Sequence, residues 1–530
     1  MESDWKLNSV IYQIYPRTFQ DSNNDGIGDL PGIISRLDYI KNLGVTAIWL
    51  SPIYRSPQID FGYDVSDYKD IDPIFGTLAD FERLVQECKE RKLQILMDYI
   101  PNHTSSQHPW FQESRSSKNN LKSDWYIWGD AGRNGEAPNN WLSVFGGSAW
   151  EFDEARQQYY LHTFDKSQPD LNWRNPDVQE EMFDVLRFWM DKGVDGFRVD
   201  VPYHIFKDPL LRDESPNPDY AEGVHNFFNS LHHVHTAWLP ESMEMMRQFA
   251  EVLQEYKNKF MVAEAWGEIS DLIKLSNTVG WRYFVPFNFS LITLPWRADV
   301  HKEFIDMYDS ELGGGYLPCY VLGNHDTSRI ASRVGQKQAR VGALLQLTLR
   351  GLPFIYNGEE LGMIDGEISR EMIKDIFEIN SPGLGLGRDP QRTPMQWDDT
   401  NNAGFSTHIP WLPVGSSYRF INVKTQEEDP HSMLSLYKLL IHIRNQHGAL
   451  REGNYVKIPQ PQKDIFAFIR EKDASRVLVL ANFSKKNISI SLDFHKARMI
   501  CNTSLTGLQE SVDLNNFIVK ADEGYVFVLE

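Results

Sequence analysis

Acidic residues recur at the ends of apolar runs. Asp98 and His103 stand in the last part of LQILMDYIPNH (93–103), Arg198 and Asp200 end VDGFRVDV (194–201), Glu264 lies in KFMVAEAW (259–266), and His325 and Asp326 close YVLGNHD (320–326). Paired carboxylates suit cleavage of a glycosidic bond: one attacks the anomeric carbon, while the other protonates the leaving oxygen and then deprotonates water. A third can steady positive charge on the sugar in the transition state. Arg198, two residues before Asp200 on the same strand face, supplies a charge that keeps that Asp ionised. His103 and His325 carry donors for sugar hydroxyls, although a satisfied core histidine explains either one taken alone. One buried Asp at a strand end serves structure equally well. Acids at four strand ends on one face repel one another and are costly without a task.

A second acid-rich stretch, DSNNDGIGD (21–29), begins like a calcium loop, with Asp21, Asn23 and Asp25 alternating and Gly26 next. An EF-hand would need a bidentate Glu at its twelfth position, which here is Gly32. The stretch is therefore either a metal site of another kind or a turn rich in Asp, Asn and Gly for backbone reasons.

The elements that must position these groups are legible as eight short runs before residue 365. They are 10–19, 45–52, 93–103, 194–201, 259–266, 284–291, 320–326 and 352–360, each rich in β-branched or aromatic residues. Amphipathic helical stretches separate several of them, at 78–92, 177–193 and 242–258. In the last, Met245, Met246, Phe249, Val252, Leu253 and Tyr256 make one apolar face suited to core packing. Strands buried on both faces and joined by helices imply a parallel sheet, and eight repeats predict an α/β fold closed into an eight-stranded TIM barrel. Its active site belongs at the carboxyl ends of the strands, where the acids fall. Two departures define further pieces. Residues 104–172, with five tryptophans, read as a subdomain inserted after the third strand and leaning over the site. Beyond the helix at 432–448 the pattern shifts to period two, in DIFAFIRE, RVLVLANF, ISISLDF and YVFVLE, predicting a C-terminal antiparallel β-sandwich. The expected division is a barrel over 1–103 and 173–450, the insert over 104–172 and the β domain over 451–530.

A chain of 530 residues has ample length for such a division. Net charge of −20 and a pI near 5.2 disfavour nucleic acid and anionic membranes as partners. Cys88, Cys319 and Cys501 are widely spaced and odd in number, which argues against a disulfide framework or a cysteine zinc site and fits a reducing compartment. The start, MESDWKLNSVIYQ, lacks the basic and apolar character of a signal peptide, and no apolar run is long enough to span a bilayer. A cytoplasmic location is the expectation. None of these features speaks to oligomeric state.

Together, DYIPNH (98–103), GFRVD (196–200), AEAW (263–266) and LGNHD (322–326) resemble the four signature regions of glycoside hydrolase family 13, in order and with familiar separations. QIYPRTFQDSNNDGIGDLPGI and RTPMQW (392–397) narrow the resemblance to its α-glucosidase and oligo-1,6-glucosidase branch. It extends over essentially the whole chain. The resemblance implies a retaining mechanism with Asp200 as nucleophile, Glu264 as general acid/base and Asp326 as transition-state stabiliser, the two working carboxyls about 5–5.5 Å apart. It also implies that Tyr63, Asp98, His103, Arg198 and His325 line the subsite of the cleaved glucose, and that Asp60 pairs with Arg392 to close the pocket for exo-cleavage of short α-glucosides. Val201 matches a position where Val accompanies preference for α-1,6 bonds. Related enzymes carry a structural calcium ion in the loop after the first strand, which implies ligation by Asp21, Asn23, Asp25 and Asp29 with the Ile27 carbonyl, Ca²⁺ being the expected ion and Mg²⁺ an alternative. No organic cofactor is implied.

Three other functions fit parts of this pattern. A transglycosylating relative, such as a sucrose isomerase or trehalose synthase, shares the carboxylates and differs in how it excludes water. A membrane-anchored, transporter-associated relative without catalysis is disfavoured by the three acids and the absence of a spanning run. A carbohydrate-binding module has no need of Asp200, Glu264 and Asp326 together.

Overall fold

A computed structural model describes residues 5–280, 282–313, 315–508 and 511–529. At its centre, seven parallel strands form one curled sheet: β1 (Ile11–Ile14), β2 (Ala47–Leu50), β3 (Gln94–Tyr99), β4 (Gly196–Val199), β5 (Phe260–Ala263), β6 (Phe284–Pro286) and β7 (Phe354–Tyr356). Their order is β6-β5-β4-β3-β2-β1-β7. Nearly every strand residue is buried, because each face has its own core. Ile11, Ala47, Trp49, Leu96, Phe260 and Val262 pack together on one face, while Tyr12, Ile48, Ile95, Phe197 and Met261 join the larger core of the other. That double burial is why the runs read as continuously apolar.

The helices follow from capping and period. Helix α1 (Leu78–Glu90) opens with a capping box between Thr77 and Asp80 and buries Phe81, Leu84, Val85 and Cys88. Helix α2 (Pro176–Asp191) is capped by Asn175 with Pro176 in its first turn. Helix α3 (Pro240–Gln254) buries Met245, Met246, Phe249, Val252 and Leu253, the predicted face.

The eight-stranded closed barrel is corrected to this seven-stranded sheet. The run expected as a seventh strand, 320–326, makes only single parallel bridges, Tyr320 to Asn288 and Val321 to Phe354. Pro318 lacks an amide hydrogen for a ladder, and from residue 323 the chain turns to deliver Asn324, His325 and Asp326, with the Asp326 amide bonded to the Asn324 side chain (2.9 Å).

Between β3 and α2 an inserted subdomain carries the helix Pro109–Ser116 and a three-stranded antiparallel sheet of Trp128–Gly129, Gln158–Leu161 and Trp150–Asp153. Its tryptophans pack within it: Trp141 lies 5.9 Å from Trp150 and Trp110 lies 5.0 Å from Trp125, centroid to centroid. A second excursion, 205–239, runs between β4 and α3; the Glu214 carboxylate accepts from the amides of Val234 and His235 and so ties it together.

The C-terminal region is a five-stranded antiparallel sheet ordered Asn454–Lys457, Ile465–Lys472, Ser475–Asn482, Gly524–Leu529, Ala497–Asn502, with a two-stranded sheet of Ile488–Ile490 and Phe517–Val519. Its central strands are buried on both sides. Phe466, Phe468, Val477 and Val479 join the main core, while Ile465, Ala467, Leu478 and Leu480 form a second core with Ile490 and Val519. Cys88, Cys319 and Cys501 are buried and unpaired. Among the described residues no helix is long and apolar enough to cross a membrane.

Candidate active site

Strands β3, β4 and β5 lie side by side, with Asp98 in register with Arg198 and Arg198 with Val262. The ladder runs one residue past each strand: the Asp200 amide donates to the Tyr99 carbonyl (2.8 Å) and the Glu264 amide to the Val199 carbonyl (2.9 Å). Backbone bonds thus place the two acids on adjacent strand ends. Arg198 is buried beneath them. Its Nη1 donates to Asp98 Oδ1 (2.5 Å) and Asp200 Oδ1 (2.9 Å), and its Nη2 to Glu264. One planar fork therefore bridges both acids. Trp266 Nε1 donates to the other Glu264 oxygen (2.7 Å).

Burial holds the Asp200 carboxyl well above the usual carboxylate range; Arg198 opposes the rise and the Glu264, Asp98 and Asp326 charges add to it. Asp98 is pushed by burial up to about 6 against the same Arg198. Asp326 goes the other way. Burial alone would raise it, but the charges of Arg392 and Arg388 hold it below the ordinary value. Arg392 Nη2 donates to Asp326 Oδ1 (2.7 Å) and its Nε to the His325 carbonyl (2.8 Å).

Burial keeps His325 neutral, its pKa well below the ordinary value. Gln13 Nε2 lies 2.8 Å from its Nδ1 and the Tyr63 hydroxyl 2.7 Å from its Nε2. An amide nitrogen only donates, so Nδ1 accepts and the network puts the ring proton on Nε2. His103 is likewise neutral, lowered by burial to about 4, and its Nε2 lies 3.2 Å from Gln168 Nε2. Gln168 donates in turn to Asp60 Oδ2 (3.1 Å).

The partner of Asp60 differs from the one expected. Arg388 Nη2, not Arg392, donates to Asp60 Oδ1 (2.7 Å), and the same guanidinium forks onto Asp375, with Nη2 at 2.6 Å and Nε at 3.1 Å. Arg392 is already spent on Asp326 and the His325 carbonyl, whereas Arg388, four residues earlier, reaches Asp60. Burial pushes Asp60 upward, and Arg388 opposes it.

A cavity of about 550 Å³ opens over these groups. Asp60, Tyr63, His103, Asp200, Val201, Glu264 and Asp326 line it; Asp98, Arg198, His325 and Arg392 stand behind as their hydrogen-bond partners. Val201 has φ +34° and ψ 49°, a left-handed conformation that a β-branched residue adopts only under constraint. Residues not foreseen include Gln168, Arg388, Asp375 and Lys207. The buried Lys207 pairs with Asp170 (2.5 Å) and donates to Asn102 Oδ1 (2.8 Å), next to His103. Arg388 was discoverable as the other Arg of GRDPQRTPMQW; Gln168 and Lys207 left no motif.

The metal site expected of Asp21, Asn23, Asp25, Ile27 and Asp29 is corrected. Among the described residues no group of three or more His, Cys, Asp or Glu side chains could hold a metal ion, so neither Ca²⁺ nor Mg²⁺ is assigned there. The loop's oxygens serve its own backbone. Asp21 Oδ1 accepts from the amides of Asn23 (3.0 Å) and Asn24 (2.7 Å), and Oδ2 from Gly26 (2.9 Å) and the Ser406 hydroxyl (2.5 Å). Asn23 accepts from Asp25, Asp25 from Ile27, and Asp29 from Ser22 and Gly32. Gly26 has φ +87°, and a Cβ there would meet the Ile409 carbonyl at 2.2 Å, so only glycine closes the turn.

The alpha-amylase catalytic-domain model matches residues 13–453. An oligo-1,6-glucosidase of Parageobacillus thermoglucosidasius is 41% identical, over 93% of this chain and 93% of that protein. Among solved structures, an alpha-glucosyl transfer enzyme superposes with a TM-score of 0.93 at 36% identity, covering 99% of both chains. The trehalulose synthase of Pseudomonas mesoacidophila MX-45 does so with a TM-score of 0.90 at 34% identity, again over 99% of both chains.

Proposed function

The chain belongs to the alpha-amylase family, glycoside hydrolase family 13, as an α-glucoside-acting enzyme, and on that premise we propose that it transfers the terminal glucose of a short α-glucoside through an ester on Asp200. Asp200 attacks the anomeric carbon while Glu264 protonates the leaving oxygen; Glu264 then takes the proton of the incoming acceptor. Asp326, held ionised by Arg392 and Arg388, faces the positive charge of the oxocarbenium-like transition state. The observation that carries this reading is Arg198, whose single guanidinium binds both Asp200 and Glu264 at the floor of the cavity. Asp60, pinned by Arg388, which Asp375 in turn holds in place, blocks one end and favours exo-attack on a terminal unit.

Exo-hydrolysis of short α-glucosides, of the maltose or isomaltose type, is the first expectation from the sequence, with transfer as its alternative. Likeness to a glucosyl transfer enzyme and a trehalulose synthase over 99% of the chain supports transfer better. Apolar residues such as Phe145, Phe164 and Leu386 in the cavity lining favour an acceptor over water. Hydrolysis remains the second reading, supported by the oligo-1,6-glucosidase likeness, and Val201 carries the expectation of α-1,6 linkages. Incubation with sucrose, maltose and isomaltose, followed by product chromatography, separates them. Transfer or isomerised products should exceed free glucose; glucose as the sole new product would leave hydrolysis standing.

A further inference from the structure

Each oxygen of Glu264 meets a donor. Arg198 Nη2 reaches Oε2, and Trp266 Nε1 donates to Oε1 (2.7 Å). Of these two partners Trp266 lines the cavity, whereas Arg198 stands behind it. Oε1 is therefore the oxygen on the side where a leaving group sits, and it is the one that the indole holds.

The indole is itself fixed from two directions. Its ring stacks on Phe289, with 3.9 Å between centroids and 14° between planes. The Trp266 carbonyl accepts from Trp238 Nε1 (3.0 Å), at the end of the 205–239 excursion, and the Trp238 ring stacks in turn on Tyr203 (5.1 Å). A Cβ on Gly267 would meet the Trp238 ring at 2.6 Å, so glycine at that position lets Trp238 close on the Trp266 carbonyl.

An indole nitrogen only donates. Its bond to an ionised carboxyl is stronger than its bond to a neutral one, and a hydrogen bond to the charged form favours that form. As Glu264 gives its proton to the leaving oxygen, the Trp266 bond strengthens; when Glu264 takes a proton back, the same bond opposes the transfer. We propose that Trp266 is a positioning residue for the acid/base, keeping Oε1 on the cavity side and easing the loss of its proton, an assignment that rests on the glucosyl-ester reading above.

Asp98 from β3, Arg198 and Asp200 from β4 and its end, and Tyr203 beyond it also face Glu264. The test takes Asp200 out of the titration. With 5-fluoro-α-glucosyl fluoride the Asp200 carboxylate bonds to the anomeric carbon and fluoride leaves with its electron pair, while the fluorine beside the ring oxygen slows release by opposing positive charge in the transition state. After excess reagent is removed, activity recovers as the oxygen of water bonds to the anomeric carbon, its proton passes to Glu264 and the electron pair of the ester bond returns to Asp200. The recovery rate rises with pH as Glu264 ionises, so this limb reads Glu264 in an enzyme whose nucleophile is capped.

Trp266→Phe keeps a ring against Phe289 but has no N–H, and should move the limb up by about 0.5–1 pH unit. Phe289→Leu keeps the N–H and removes the ring beneath it, and should move the limb the same way by less. Recovery is first-order in trapped enzyme, so its rate does not depend on how much of a variant folds. A limb that is unmoved or moves down in Trp266→Phe overturns the role of Trp266 and leaves the ester intact; should that variant fail to accumulate, an unmoved limb in Phe289→Leu does the same. A wild type that forms no ester overturns the glucosyl-ester reading, and this assignment with it.

Discussion

Two regions of this molecule concentrate acids, and they put them to opposite uses. In the loop 21–29 the carboxylates of Asp21, Asp25 and Asp29 face backbone amides and hydroxyls that shape one turn. At the strand ends Asp98, Asp200, Glu264 and Asp326 face arginines, with Arg198 shared by three of them and Arg392 bonded to the fourth. A carboxylate met by several amide dipoles is a structural acceptor, and its shape matters more than its charge. One met by a shared cation beside other acids keeps a charge that is contested, and contested charge is what acid/base and nucleophilic chemistry needs.

Exchanging the charge while keeping the shape should separate these uses most sharply at Asp200. Asp200→Asn removes the nucleophile, so turnover of α-glucosyl fluoride should fall on the order of 10⁴-fold or more while the fold is retained. Steady-state rates with circular dichroism check this, and a variant within tenfold of wild type would exclude Asp200 as nucleophile.

Next in size is the contest between two arginines. Arg388→Lys loses the fork onto Asp60 and Asp375, and each charge-assisted bond is worth about 1.5–3 kcal/mol, so kcat/KM should drop about 10–100-fold. In double-mutant cycles Asp60→Asn should couple to Arg388→Lys by more than about 1 kcal/mol and to Arg392→Lys by clearly less. Stronger coupling to Arg392 would restore the pairing expected from sequence.

That contest also marks how far the sequence could be read. Double burial made β1 to β7 visible, because continuous apolar runs such as FMVA and AIWL need no alternation to be recognised. Acids at the carboxyl ends were visible for the same reason, since the ladder places residue 200 beside residue 264 once the strands are known. What stayed hidden depends on side-chain direction across large separations. Asp60 and Arg388 are 328 positions apart, and nothing local tells Arg388 from Arg392. The acid-rich loop misled because Asx turns and metal loops share their composition. Only the hydrogen-bond partners, Ser406 among them, tell one from the other. The run 320–326 was read as a strand from its apolar start, yet it turns after two bridged residues.

Opposite pKa directions within the strand-end cluster give a smaller effect with a definite sign. Asp200 holds its proton more tightly folded than unfolded, so wild type loses stability as pH rises from the unfolded Asp value, about 3.9, to the raised folded one. Asp200→Asn escapes that loss and should gain in Tm relative to wild type between pH 4 and 8. Asp326 has the reverse linkage: its lowered value gives stability that is complete above the unfolded value and is lost as pH falls towards the folded one. Asp326→Asn should therefore melt below wild type at pH 5 to 8, by on the order of 1 kcal/mol, with the deficit shrinking in acid. Calorimetry across that range reads both signs; the same sign for both would mean that the cluster does not divide its charges as described.

The smallest expected effect is also the mirror of the largest. In Asp21→Asn one oxygen can still accept from Asn23 and Asn24, and the Ser406 hydroxyl can turn to accept from the new NH₂ group, but that group cannot accept from the Gly26 amide, which Asp21 Oδ2 now satisfies. A backbone donor then faces a donor in a buried turn, at a cost of about 1–3 kcal/mol in stability. No residue of the loop lines the cavity, so kcat and KM should stay within twofold of wild type. Treatment with EDTA should leave the melting temperature of the wild type unchanged, since amides and hydroxyls, not a metal ion, occupy these oxygens. A chelator-induced fall in Tm that added calcium reverses would overturn the turn assignment; a large loss of rate without loss of stability would erase the contrast between the loop and the cluster. The same Asp to Asn exchange should thus cost rate and spare stability at position 200, and cost stability and spare rate at position 21.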